Sequence, residues 1–245
     1  MTLEAALAPL LHSPRLPEIV DALQARVRAE SVARQRFYEA MTDEQKVEFI
    51  EGEVVLHSPA RNAHLIVRSL IEKLLHTYAA IHQCGEVRGE KCLTVFPRND
   101  YEPDVVFFTP AKSARFEPNT MKFPVPDLAV EVLSESTAAR DRGVKFEDYE
   151  AHGVMEYWLV NAEEEWVEQY LLRNGCFELA LKSGTGEIAS PTIPGLRLPV
   201  RAFFDAVENL AALRTLVARS QSSSGNSAAV LWSSAAGHRA RGCVA

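Results

Sequence analysis

Cysteine is scarce in this chain of 245 residues, and its spacing matches no familiar metal or disulfide pattern. The four cysteines are Cys84, Cys92, Cys176 and Cys243. They form no CxxC pair and have no histidine partner at zinc-finger spacing, so the sequence indicates neither a structural zinc site nor a disulfide framework. This pattern favours a reducing compartment, and we expect a cytoplasmic protein.

The chain also lacks a long apolar run. No stretch approaches the ~18 apolar residues that indicate a membrane-spanning helix. The opening residues MTLEAALAPLL contain no basic segment and are interrupted by Pro9, which is not the pattern of an export signal. We therefore expect no membrane partner.

Several common catalytic motifs are absent from the sequence. There is no GxSxG elbow, no HExxH helix, no phosphate-binding P-loop and no GxGxxG after a strand, and the seven histidines are scattered. Positive charge is in short supply as well, since 26 basic residues face 33 acidic ones and leave a net charge of -7. This balance argues against binding nucleic acid by bulk charge alone.

What the chain has is the composition of a folded protein, with 47% hydrophobic and 24% charged residues. We divide it into three parts. Residues 1–40 have apolar residues near helical spacing and predict an N-terminal helical extension. Residues 41–219 form one predicted α/β domain. Residues 220–245 are rich in Ser, Gly and Ala without periodicity, and we expect them to be mostly disordered.

Within the predicted domain, the pattern of apolar residues indicates alternating strands and helices. A hairpin is predicted over 47–59 around Gly52, and a helix over 64–81 with Leu65, Ile66, Leu70, Leu74 and Leu75 on one stripe. Strands are predicted over 90–96, 103–108, 127–133, 156–160 and 166–172, and an additional hairpin from 174. Further helices are expected over 141–153 and 202–219.

Two acidic residues stand out against these apolar strands. Asp104 directly precedes the run VVFF, and Glu131 interrupts the run LAVEVL. A carboxylate buried without a partner is costly, so Glu131 needs a cation, a hydrogen-bond network or a metal. Carboxylates that converge from two strands suit Mg²⁺ or Mn²⁺ better than zinc. Lys145, on the following helix, is the nearest lysine that could assist.

These residues carry a family resemblance. The segments EPDVVFF, PDLAVEVLSEST and DRGVKFEDYEAHGVMEYWLV, with VEFIEGEVVLHSPARNAH upstream, resemble the Uma2 family (domain of unknown function 820), a branch of the PD-(D/E)XK restriction-endonuclease-like superfamily. The resemblance covers about residues 46–205. It implies a restriction-endonuclease-like core with a mixed central β-sheet flanked by helices, here with an extra N-terminal helix.

The resemblance also implies a site and an activity. Pro103–Asp104 matches the PD element, and Glu131 matches the acidic residue of the second element. Position 133 is Leu133 where that element has lysine, which implies that Lys145 takes over the lysine role. The implied metal ligands are Asp104, Glu131 and the backbone carbonyl of Val132.

The same resemblance suggests a role for two further polar residues and names the reaction. Glu53 and His64 match recurring family positions that could be outer-shell or substrate-facing. The implied reaction is Mg²⁺- or Mn²⁺-dependent hydrolysis of DNA phosphodiester bonds, by a protein expected to be a homodimer.

Each assignment has an alternative from the residues alone. Asp104 after a proline can simply begin a strand, Glu131 can pair with Arg142 or Lys145, and Lys145 can form a surface pair with Asp148. At the level of function, the alternatives are a catalytically inactive nuclease-fold module that binds nucleic acid or a protein, and an enzyme that acts on a small phosphorylated metabolite.

Overall fold

The structure is a computed structural model that describes residues 3–219. The predicted disorder of residues 220–245 lies outside the described residues. The chain begins with two helices, α1 (Leu3–Leu11) and α2 (Leu16–Ala40), so the predicted N-terminal extension is a helical pair. Among the described residues, no helix is long and apolar enough to cross a membrane.

The remaining elements alternate between strands and helices. The first half contains β1 (Val47–Ile50), β2 (Glu53–Leu56), α3 (Asn62–His82), β3 (Glu86–Gly89), β4 (Leu93–Val95), β5 (Asp100–Tyr101), β6 (Val105–Phe108), α4 (Pro110–Ser113) and β7 (Lys122–Phe123). The second half contains β8 (Leu128–Leu133), α5 (Ala138–Asp141), α6 (Val144–Ala151), β9 (Glu156–Asn161), β10 (Trp166–Arg173), β11 (Cys176–Ser183), β12 (Glu187–Ala189), β13 (Arg197–Pro199), a 3₁₀ helix (Val200–Phe203) and α7 (residues 206–219).

The largest sheet has six strands in the order β11-β10-β9-β8-β6-β3. It is mixed, because β8 and β9 run parallel while the other neighbours are antiparallel. This is the predicted mixed α/β architecture. A parallel pair needs a crossover, and α5 and α6 supply it between β8 and β9.

The other strands form a five-stranded sheet in the order β2-β1-β5-β4-β7 and a small β12-β13 hairpin. The hairpin predicted around Gly52 is confirmed as β1 and β2, which pair in antiparallel register. Of the strand predicted over 90–96, residues 93–95 form a strand of the five-stranded sheet. The strand at residues 86–89 was not predicted and belongs to the six-stranded sheet, so the chain changes sheets between residues 89 and 93.

The six-stranded sheet is buried on both faces. One face packs α3 against residues such as Phe107, Val130 and Trp158. The opposite face packs Phe108, Ala129 and Tyr157 with residues of α6 and the five-stranded sheet. Because successive side chains of a strand point to opposite faces, the side chain that follows Ala129 on this second face belongs to Glu131.

Two helix predictions need correction. In α3, Leu70, Leu74 and Leu75 are buried as expected, but Leu65 and Ile66 are 40% and 46% exposed. The buried stripe instead includes Val67, Ile71 and Tyr78, since only the part of the helix beyond its first turn lies over the sheet. The helix predicted over 141–153 is α6, which begins later, at Val144, because the backbone at Gly143 is not helical. Asp141 instead ends the separate helix α5, which was not predicted.

Candidate active site

Glu131 lies in the middle of β8 and is 3% exposed. Its Oε1 atom accepts hydrogen bonds from Lys145 Nζ at 2.9 Å and from the Tyr149 hydroxyl at 3.1 Å. Both donors belong to α6, the second helix of the β8–β9 crossover. The alternative partner Arg142 pairs with Glu168 instead.

Asp104 lies at the point where β6 begins and is 2% exposed. Its Oδ2 atom accepts a hydrogen bond from the backbone N–H of Val132 at 2.8 Å, beyond the last residue pair of the β6–β8 ladder. Its Oδ1 atom lies 3.0 Å from Lys46 Nζ and 3.3 Å from His64 Nε2. Asp104 therefore connects the start of β6 to the backbone of the residue that follows Glu131.

Lys145 connects three carboxylates and is itself 3% exposed. Its Nζ atom lies 2.9 Å from Glu48 Oε1, 2.9 Å from Glu131 Oε1 and 3.5 Å from Asp141 Oδ1. The surface pair with Asp148 predicted as an alternative is wrong, because Asp148 accepts hydrogen bonds from Asn99 and Tyr101. Lys145 is a buried cation at the centre of the site.

Glu48 enters the site from the five-stranded sheet. It lies on β1 and is fully buried, with Oε1 accepting the backbone N–H of Glu102 at 3.0 Å. Its other oxygen lies 2.9 Å from His57 Nε2. Lys46, two residues before Glu48, contacts Asp104, so the start of β1 contributes one cation and one carboxylate.

Asp141 is the least satisfied member of the cluster. It ends α5 and is 1% exposed, yet neither of its carboxylate oxygens has a hydrogen-bond partner within the described residues. Buried polar atoms in folded proteins are nearly always hydrogen-bonded. Among the residues that the structure describes, Asp141 thus has only the 3.5 Å ion pair of Oδ1 with Lys145, and both of its oxygens lack a hydrogen-bond donor.

Negative charge exceeds positive charge in this cluster, since four buried carboxylates share two lysines. Burial tends to raise the pKa of Glu48, but Lys145 and His57 outweigh burial and lower that pKa to about 2. Burial also acts on Asp104, where Lys46 and His64 lower the pKa below its ordinary value. Glu48 and Asp104 are therefore held ionised.

The other two carboxylates shift in the opposite direction. Burial raises the pKa of Glu131 to about 8, against the pull of Lys145, and Asp141 and Asp104 reinforce the rise. Burial likewise raises the pKa of Asp141 above its ordinary value. Burial tends to lower the pKa of Lys145, but Glu131 and Glu48 raise it well above its ordinary value. Divergent carboxylate pKa values within one cluster are typical of functional sites.

The structure brings together most of the residues predicted for the site and separates one from it. Asp104, Glu131, Lys145, His64 and the backbone of Val132 lie within one connected set of contacts. Glu53 does not join them. It lies on β2 and is exposed, and its carboxylate makes no hydrogen bond or ion pair with another described residue.

The sequence reasoning missed four further members, namely Lys46, Glu48, His57 and Asp141. Glu48 carried a usable signal, because the predicted hairpin placed an acidic residue between the apolar Val47 and Phe49. Such a residue in a strand needs a partner for the same reason as Glu131.

The donors at this site fit a hard divalent cation in type and charge. Carboxylate oxygens are the ligands that Mg²⁺ and Mn²⁺ prefer, the cluster has more carboxyl groups than lysines, and Asp141 has two oxygens without hydrogen-bond partners. Within residues 3–219, however, no group of three or more His, Cys, Asp or Glu side chains is already arranged to hold a metal ion. Lys46 and Lys145 already form ion pairs with Asp104 and Glu131.

Residues 34–201 match the family model described as Uma2, putative restriction endonuclease. The chain belongs to the Uma2 family. The matched range begins within α2, so the last turns of this helix are part of the Uma2 region, and the match includes every residue of the cluster described above. Membership in a family described in this way supports a nuclease role.

A solved structure shows the same fold. The chain is similar to a crystal structure described as a putative nuclease belonging to DUF820 from Anabaena variabilis ATCC 29413, with a TM-score of 0.60 and 18% sequence identity. The similarity covers 72% of this chain and 96% of that one. A comparison with curated proteins gave no match.

Proposed function

We propose that this Uma2 protein is a metal-dependent endonuclease that hydrolyses phosphodiester bonds of DNA. The observation that carries the proposal is the buried contact set in which Asp104 joins the backbone beside Glu131, and Lys145 donates to Glu131. Two strand-borne carboxylates with one lysine are the groups that metal-assisted phosphodiester hydrolysis requires. Uma2 membership supplies the reaction class.

Asp104, Glu131 and the backbone carbonyl of Val132 would hold Mg²⁺ or Mn²⁺. Bound there, the ion would supply Lewis acidity toward a phosphate oxygen and a water made more acidic. The chain's own groups have separate tasks. The Val132 N–H orients Asp104, and the Tyr149 hydroxyl orients Glu131. Because both carboxylates are already held in place, little side-chain entropy has to be lost during the reaction.

The two lysines would act on the substrate side. Lys145 supports Glu131 and is placed to stabilise the charge that develops on the reacting phosphate. The side chains of Lys46 and His64 are 18% and 13% exposed, whereas those of Asp104 and Glu131 are each 4% exposed. We therefore place the approach of the phosphate on the side of Lys46 and His64.

The proposal is tested by a cleavage assay on single-stranded and double-stranded DNA with Mg²⁺ or Mn²⁺. We expect Asp104→Asn, Glu131→Gln and Lys145→Met each to lower the rate by about 100-fold or more, as for the loss of a preorganised transition-state contact. Glu53→Gln is the matched control, because it changes an exposed glutamate whose carboxylate makes no hydrogen bond or ion pair with another described residue. Cutting that survives the three site variants would refute the assignment.

Metal binding is measured separately by calorimetric titration with Mn²⁺. Wild type and Glu53→Gln should bind the ion, and Glu131→Gln should bind it at least about tenfold more weakly, because one carboxylate ligand is gone. Equal binding by all three proteins would show that Glu131 is not a ligand.

One observation favours a second candidate function, a catalytically inactive nuclease-fold module that binds nucleic acid or a protein partner. Lys46 and Lys145 already pair with the carboxylates that would hold the metal. Under this hypothesis the cluster is a structural ion network. The hypothesis predicts no heat of Mn²⁺ binding and no DNA cleavage, with the fold intact.

We also propose that two copies of the chain act together. Cutting both strands of a duplex suits a two-fold symmetric pair. Support comes from α2, where Val20, Leu23 and Val27 are exposed at helical spacing. This stripe would be covered by a second copy of the chain.

A further inference from the structure

A cavity of about 230 Å³ lies beside the candidate active site and is not used by the mechanism above. It is enclosed by the end of α2, the start of β1, β4 and the segment around β7. Most of its wall is apolar, formed by Phe37, Met41, Val47, Leu93, Met121 and Phe123. The volume suits one small flat ring system rather than a large ligand, since pockets for drug-sized ligands are roughly 300–1,000 Å³.

Three acidic residues line this cavity, Asp43, Glu90 and Glu102, and Glu102 is the buried one among them. Glu102 is 6% exposed, and its Oε2 atom accepts the backbone N–H of Val47 at 3.0 Å. Its Oε1 atom has no hydrogen-bond partner within the described residues. This oxygen is an acceptor that an incoming N–H group could use.

The cavity and the catalytic cluster share the same two chain segments. Glu102 is two residues from Asp104, which limits their Cα separation to roughly 7 Å. On the facing segment, Val47 lies between Lys46 and Glu48, and the backbone N–H of Glu102 donates to Glu48. A ligand in the cavity would therefore lie close to the chain segment that carries Lys46 and Glu48.

Hydrogen-bond geometry selects the ligand. A carboxylate only accepts, and its two oxygens match two adjacent N–H donors. Among the four DNA bases, guanine alone presents two adjacent donors, N1–H and N2–H, on its Watson–Crick edge. Adenine and cytosine pair one donor with a neighbouring acceptor, and thymine has a single donor between two acceptors. Aromatic walls then accommodate the faces of the ring.

We propose that this cavity holds a guanine base, with Glu102 accepting from its N1–H and N2–H groups. If the guanine belongs to a DNA strand, next to the bond that is cut, this proposal rests on the proposed nuclease function. Extruding a base into a fitted pocket is a recognised way for a protein to read it. Free guanine nucleotides share this chemistry, so the experiment separates the two sources.

The first arm measures binding of guanosine, inosine and adenosine 5′-monophosphates to the full chain by calorimetry, at mildly alkaline pH. Inosine lacks only the N2 amine, so it removes one of the two proposed hydrogen bonds. We expect the guanine nucleotide to bind about tenfold or more tightly than the other two. Glu102→Gln should abolish the preference, because the amide replaces one acceptor with a donor while its oxygen can still accept from Val47.

Two further variants guard against loss of folding as an explanation. Met121→Trp changes a 43%-exposed residue of the cavity wall and should block binding by filling the space. Glu53→Gln changes an exposed carboxylate outside the cavity and should leave binding unchanged.

The second arm compares cleavage of DNA that carries guanine or inosine at one position beside the cut. A preference for guanine that Glu102→Gln removes, with cutting retained, supports the proposal for a DNA strand. A preference among free nucleotides alone supports a free guanine nucleotide as the ligand, and it would stand even if no DNA were cut. Indifference to guanine in both arms overturns the cavity assignment and leaves the nuclease proposal untouched.

Discussion

At the scale of single residues, Lys145 explains how four acidic groups can share one buried site. It is the central cation for Glu48, Glu131 and Asp141, while Lys46 serves Asp104. One ammonium group cannot neutralise three carboxylates, and the raised pKa values of Glu131 and Asp141 reflect burial first and the repulsion between carboxylates second. Keeping these groups buried together costs folding stability.

Glu131→Gln should therefore stabilise the metal-free protein, by about 1 kcal/mol. The folded pKa of Glu131 is raised from 4.5 to about 8, so ionised Glu131 costs stability, and this cost grows as the pH rises from 4.5 to 8. Urea unfolding of wild type and variant across this range measures the effect. The two curves should meet near pH 4 and separate above it, whereas parallel curves would contradict the assigned shift.

Lys145→Met should have the opposite effect on stability. Removing the cation leaves three buried carboxylates without it, and breaking a buried ion pair from one side costs about 3–5 kcal/mol. Lys73→Met is the matched control, because Lys73 is an exposed lysine of α3. The midpoint of urea unfolding should fall for Lys145→Met and stay within error for the control, and equal midpoints would show that Lys145 is not the main cation of the cluster.

At the scale of elements, the sequence predicted best where a pattern is local. The β1–β2 hairpin, α3 and the apolar strands β6 and β8 follow from periodicity and turn residues, and Asp104 and Glu131 were recognisable because each interrupts or borders such a run. The other features of the fold depend on which strands pair with each other in the sheets. Nothing local in the sequence shows that residues 86–89 and 93–95 enter different sheets.

The same reason explains which site residues were missed. Lys46 and Glu48 reach the cluster only because the five-stranded sheet lies against α6, and this packing has no signature in either segment alone. Asp141 was predicted as the first residue of a helix, where acidic residues are common, whereas in the structure it is the last residue of the short helix α5. Glu53, by contrast, lies on the exposed strand β2, although it is only five residues from Glu48.

The β1–β2 turn also connects the helical extension to the domain. Gly52 has φ +92°, and a Cβ atom there would lie 2.8 Å from Glu30 Cγ of α2. Glu30 accepts hydrogen bonds from Arg98, which links α2 to the five-stranded sheet. The turn therefore fixes the position of α2 as well as the register of the hairpin.

Gly52→Ala should destabilise the protein more than Gly175→Ala. Both glycines have a positive φ, which costs an alanine roughly 1 kcal/mol, but a Cβ at Gly175 meets nothing within 4 Å. The additional loss for Gly52→Ala comes from displacing Glu30. Thermal unfolding of the two variants measures the difference, and equal losses would show that the Glu30 contact contributes little.

At the scale of the whole molecule, the net charge of -7 acquires a clearer meaning. Residues 41–170 contain all the carboxylates of the candidate site, and they carry a net charge of -11. Part of this acidity is buried around Lys145 and is not presented to a polyanion. DNA binding would then depend on a local basic face and a bound cation, which predicts weak, strongly salt-dependent association.

The exposed apolar stripe of α2 gives a test of assembly. Val20, Leu23 and Val27 are 40%, 53% and 65% exposed at spacings of three and four residues, a seam that suits the same seam of a second copy. We expect wild type to sediment as a dimer and Leu23→Glu to sediment as a monomer with unchanged helix content, because a charge in an apolar seam opposes pairing. Gln24→Glu makes a similar charge change on the neighbouring exposed face and should remain dimeric. A monomeric wild type at micromolar concentration would refute the second copy as the partner of α2.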